Sequence, residues 1–138
     1  MRKTLVLLGS FVAVFALAMP SAWAGSPHFV SVSASVSDNT LTVTGKEAGL
    51  GNETQVHIVV TATAECINPG QHHPKAANKE SVSAAGDFPV QNGKADFTLS
   101  VTATFQPDCT PPMTVAFTDI TVSDAEHNVT ASLPGTFL

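Results

Sequence analysis

The chain has 138 residues, six basic and eleven acidic side chains, five histidines and no tyrosine. An acidic balance without a basic stripe or aromatic platforms excludes nucleic-acid binding. The length suits one domain, whose modest core gains from a covalent staple.

Residues 1–24 read as a cleaved signal peptide. Arg2 and Lys3 make a positive start, and Leu5 to Leu17 is apolar except for Gly9 and Ser10. Pro20 breaks the helix, and Ala22-Trp23-Ala24 is an A-x-A cleavage site. The apolar stretch falls short of the roughly 20 residues that span a bilayer. No later run offers an anchor, so no membrane insertion is expected after cleavage. Residues 25–138 then form a single domain with four lysines against eleven acids, a balance of −7, and no arginine or tryptophan. Such a charge also disfavours anionic membrane surfaces.

From His28 the pattern has period two, the mark of half-buried strands. Val30, Val32, Ala34 and Val36 alternate with Ser31, Ser33, Ser35 and Ser37. After the turn signal Asp38-Asn39, Thr40 to Thr44 points Leu41 and Val43 inward. Residues 45–52, with three glycines, read as a loop. Thr54 to Glu65 is a strand with Val56, Ile58, Val60, Ala62 and Ala64 in phase. Beyond Cys66, Pro69, Gly70 and Pro74 forbid regular structure, and Ala76 to Glu80 suits one helical turn.

Ser81 to Ala84 and Asp87 to Val90 read as two short strands, with Pro89 marking an edge or a bulge. Asn92-Gly93 is the strongest hairpin signal, because a type I′ turn needs positive φ at both positions. It leads into Ala95 to Phe105, which points Phe97, Leu99, Val101, Ala103 and Phe105 inward. Met113 to Ser123 begins with Val115 and Phe117 in phase and then switches to Ile120 and Val122. That slip near Thr118-Asp119 predicts a β-bulge. Val129, Ala131 and Leu133 give a last strand. The expected fold is all-β: an antiparallel immunoglobulin-like β-sandwich of about seven or eight short strands.

Cys66 and Cys109 are the only cysteines, and in an exported chain they are expected to form a disulfide. Val60-Thr61-Ala62-Thr63 precedes the first and Val101-Thr102-Ala103-Thr104 precedes the second, so both strands run toward their cysteine. A bridge would gather the 67–80 loop and the 108–112 connection at one end. Asn68, Gln71, Lys75, Asp108 and Thr110 are the expected binding surface there.

No catalytic residue is assigned. The chain has no G-x-S-x-G and no H-E-x-x-H, and its cysteines are committed to the bridge. The acids are scattered, and the chain beyond the cleavage site lacks the tryptophan and tyrosine that usually line sugar clefts. No cofactor is expected. A second reading is metal binding: His72 and His73, adjacent in the loop after Cys66, could ligate Cu or Zn. Asp119, Asp124 and Glu126 near the bulge could hold Ca²⁺ weakly, although nothing resembles an EF-hand loop.

Five segments read together carry a resemblance: Pro27-His28-Phe29, Lys46 to Gly51, Ala77-Asn78-Lys79-Glu80, Cys109-Thr110-Pro111-Pro112 and Pro134-Gly135-Thr136-Phe137. The chain resembles a group of small, uncharacterised secreted bacterial proteins. The resemblance implies export and a bacterial source, and brings no activity with it. The functional expectation is a secreted, non-catalytic binding or cell-surface module for a protein or cell-surface ligand, with metal binding through His72 and His73 as the alternative.

Overall fold

The computed structural model describes residues 26–68 and 78–138. Seven antiparallel strands form two sheets: β1 (His28–Ser37), β2 (Thr40–Ala48), β3 (Gln55–Ile67), β4 (Lys79–Pro89), β5 (Ala95–Thr102), β6 (Thr114–Asp124) and β7 (Val129–Leu133). One sheet has the order β1-β2-β5 and the other β4-β3-β6-β7. They pack face to face, with β1 against β7 and β5 against β3 and β4. This is an immunoglobulin-like sandwich in which the fourth strand lies beside the third. A constant-type domain places it beside the fifth.

The core comes from the inward phases of β2, β3, β5 and β6. Leu41, Val43, Val56, Ile58, Val60, Phe97, Phe117, Ile120 and Val122 are all buried. The expected phase slip is present: pairing of β3 with β6 shifts between Thr61 and Thr63, and Asp119 takes φ 51°. A second irregularity, between Phe29 and Ser31 on β1, reverses an expectation. It turns Phe29 inward, 5.8 Å from Phe97 between ring centroids, and leaves Val30 55% exposed.

Three boundary readings need correction. Residues 45–48 belong to β2 and are not loop. Gly45 lies opposite Phe97 in the sheet, and a Cβ there would come within 2.5 Å of both the Phe97 ring and the Ser31 carbonyl. This glycine answers a close approach, not a turn. The two short strands before Pro89 are one, β4, continuous through Gly86 and at a sheet edge. Of the expected helical turn, Asn78 is 3₁₀-helical, Lys79 and Glu80 open the strand instead, and Ala76 and Ala77 lie outside the described residues.

The Asn92-Gly93 turn forms as expected, with φ 55° and 76°. Its pairing lasts for one bridge, Gln91 with Lys94, because β4 and β5 then part into different sheets. Cys66 and Cys109 are bridged, with Cα atoms 5.8 Å apart. The bridge ties the end of β3 to the connection that crosses from β5 to β6. A disulfide is compatible with an oxidising compartment.

Candidate functional site

Antiparallel pairing divides the loops between two ends. Cys66 and Cys109 mark one end. The β2–β3 loop, the β4–β5 turn and the β6–β7 turn gather at the other, which holds the densest cluster of titratable groups among the described residues.

That cluster begins with two acids in core positions. The inward phase of β2 runs Leu41, Val43, Gly45 and then Glu47; that of β6 runs Ile120, Val122 and then Asp124. The alternation that buries the hydrocarbons therefore buries these carboxyls, and both are fully inaccessible to solvent. In its sheet Glu47 pairs in register with Phe29 and Ala95, so its neighbours there bring no side-chain donor. Neither Glu47 carboxyl oxygen accepts a hydrogen bond from an N–H or hydroxyl donor. The Glu47 pKa is pushed up to about 8, first by burial and then by the hydrogen bond and negative charge of Asp124; the positive charge of His127 opposes the rise.

Asp124 shapes the turn that follows it. The backbone N–H of His127 donates to Asp124 Oδ1 at 3.3 Å, an Asx-type contact that such turns favour, and Asn128 takes φ 58°. The turn swings the imidazole back so that Nδ1 lies 2.6 Å from Asp124 Oδ2. On the outer side, His127 Nε2 is hydrogen-bonded to Glu53. Glu53 reaches it from the β2–β3 loop, which is anchored by buried Leu50 through Leu50 N–H to the Gly93 carbonyl at 2.9 Å. Burial lowers the His127 pKa, but the hydrogen bonds to Asp124 and Glu53 outweigh it and hold the imidazole above its ordinary value.

Donor atoms of Glu47, Asp124 and His127 lie within 4.8 Å of one another, as do those of Glu53, Glu126 and His127. One imidazole thus stands between a buried pair of carboxylates and an exposed pair. The β2–β3 loop and the β4–β5 turn at this end border two open depressions. One, of about 390 Å³, is lined by Lys46, Pro89, Gln91, Asn92, Lys94 and Asp96. The other, of about 350 Å³, runs along the glycines of the β2–β3 loop to Asn92 and Gly93.

The residues named from sequence fall elsewhere. His72, His73, Gln71 and Lys75 lie outside the described residues. Asn68 is half-buried just past β3, and Asp108 and Thr110 are exposed on either side of Cys109; the bridge brings these three to one end. Of the three acids near the bulge, Asp124 and Glu126 join the cluster at the opposite end. Asp119 does not, because it lies in the outward phase of β6. Glu47, Glu53 and His127 were missed. The available signal was an acid continuing an inward apolar alternation, once in β2 and once in β6. No family model, curated protein or solved structure matches the chain.

Proposed function

We propose that the chain is exported, loses residues 1–24 and acts outside the cytoplasm as a non-catalytic binding module. The observation that carries the reading is that neither histidine–carboxylate pair has a nucleophile. His57 Nδ1 lies 2.7 Å from Asp87 Oδ1 on an exposed strand face, and His127 is held between Asp124 and Glu53. No serine or threonine hydroxyl is hydrogen-bonded to either ring among the described residues. Instead, hydroxyls pair with one another across β2 and β5: Thr40 with Thr102 at 2.8 Å and Thr42 with Ser100 at 2.9 Å. Both cysteines are in the disulfide. A triad-like site needs the nucleophile within reach of its base, and neither pair supplies one. Exposed loop groups at the two ends, Asp108 and Thr110 beside the disulfide and Gln91, Asn92 and Lys94 opposite it, offer recognition chemistry on a rigid scaffold.

Two measurements on protein expressed with its own N-terminus test this reading. Intact mass of the exported material should correspond to a chain starting at Gly25 with both cysteines oxidised; a mass that still includes Trp23 contradicts the cut. Chromogenic ester, phosphoester and glycoside substrates should show no turnover above buffer. Turnover that disappears in Asp124→Asn or Asp87→Asn would overturn the non-catalytic assignment.

A further inference from the structure

We propose that Glu47, Asp124 and His127 form a buried site for one zinc-class divalent cation, with Glu53 orienting the imidazole from outside. The inference does not rest on the binding-module reading; it concerns the opposite side of the same loop end, inside the fold.

The first support is Glu47. A fully buried carboxyl that accepts no hydrogen bond is, once ionised, among the costliest groups a core can hold. Its close polar neighbour, Asp124, is a second fully buried carboxyl and can give it no donor when ionised. Leucine or valine would suit either strand position better, since a buried polar set seldom outperforms hydrocarbon of similar volume. Two carboxylates facing each other across the sandwich, one from each sheet, are complementary to a divalent cation: their two negative charges balance its two positive ones.

The donor set narrows the choice of cation. It offers carboxylate oxygens and one imidazole nitrogen, with donor atoms within 4.8 Å of one another. Zn²⁺ takes His nitrogen and Asp or Glu oxygen at about 2.0–2.2 Å, commonly from three protein residues. Ca²⁺ asks for six to eight oxygens, more than these side chains supply. Soft Cu(I) prefers thiolate or thioether ligands, and the cysteines are oxidised.

The outer hydrogen bond supplies what a ligating histidine needs. A metal-bound imidazole usually donates its other ring N–H to a carboxylate, which fixes the tautomer and orients the ring. Here Glu53 accepts from Nε2, leaving Nδ1, the nitrogen that faces Asp124, as the donor to the cation. Asp124 serves twice, as a ligand and as the residue that folds the turn carrying His127. The exposed Glu53 side chain and the partly exposed ring leave an approach from solvent.

The test uses the full exported chain without a histidine tag, stripped with chelator and then titrated. Zn²⁺ should bind at one equivalent at this site with Kd tighter than about 1 μM, and Co²⁺ should give ligand-field absorption in the visible. Glu47→Gln keeps the shape and removes the charge; it should weaken Zn²⁺ by about 100-fold or more. Glu53→Gln should weaken it by roughly 10–100-fold. The double variant His72→Ala, His73→Ala and the single variant Asp87→Asn should leave this affinity unchanged. Circular dichroism of each stripped variant reports the fold, and if Asp124→Asn fails to fold, Glu47→Gln decides. Absence of Zn²⁺ or Co²⁺ binding tighter than about 10 μM, wild-type affinity in Glu47→Gln, loss of affinity with His72 and His73, or Ca²⁺ binding tighter than Zn²⁺ would each overturn the assignment.

Discussion

Reducing the Cys66–Cys109 bridge is expected to destabilise the sandwich by roughly 2–4 kcal/mol. The cysteines are 43 positions apart, and closing a loop of that size restricts the unfolded chain by about 4 kcal/mol in the loop-entropy account. The native side adds to the effect. Both half-cystines are buried in the core cluster with Val115, Phe105 and Ala103, so the bridge also holds the β5-to-β6 crossover against the end of β3. Urea unfolding with and without a phosphine reductant measures the difference. Against a total stability of about 5–15 kcal/mol for a small domain, a change of this size moves the midpoint plainly. Titratable thiols in freshly exported protein, or an unchanged midpoint after reduction, would contradict the prediction.

The disulfide was legible from a count of two cysteines in a chain with an export signal, and the strands from their alternation. Cys66 continues the inward phase of Val56 to Ala64, and a period-two pattern states which face is buried without further information. The pattern failed where a residue's role depended on its partner strand. Gly45 looks like loop until Phe97 is placed opposite it. Val30 looks inward until the irregularity beside Phe29 turns the strand. The Asn92-Gly93 turn was read correctly, but the parting of β4 and β5 into separate sheets is a long-range choice that local residues do not encode.

The cluster at the far end is hidden because its members are distant in sequence. Glu47 sits in a glycine-rich run and His127 in a turn, and both read as solvated until the topology joins the end of β2 to the end of β6. The adjacent histidines His72 and His73, by contrast, are a signal visible along the chain. The Glu47–Asp124–His127 arrangement exists only across it, through residues 77 and 80 positions apart.

Glu47→Leu is expected to stabilise the metal-free protein by about 1–4 kcal/mol at pH 8, and by clearly less at pH 5. In the native fold the Glu47 carboxyl has its pKa raised from 4.5 to about 8, with burial the leading cause. Below pH 4.5 the group is neutral in folded and unfolded chains alike, and its burial is tolerated. As pH rises toward 8 the unfolded chain ionises while the folded one keeps its proton, so wild-type stability falls through this window. Leucine has no proton to lose and should remove that slope. Chelator-treated protein, unfolded in urea at pH 5, 6.5 and 8, gives the comparison. A Leu variant less stable than wild type at pH 8, or one with the same pH slope, would contradict the reading of Glu47 as a destabilising buried acid. The stabilisation would come with loss of the cation site, the trade-off expected where a strained group serves function.

Anomalous diffraction at the zinc absorption edge, from crystals of the untagged protein grown with one equivalent of Zn²⁺, locates the bound cation. One strong peak is expected between the Glu47 and Asp124 carboxylates and His127 Nδ1, with Glu53 still on Nε2. A map with no peak there, or with its density only at His72 and His73, would contradict the assignment.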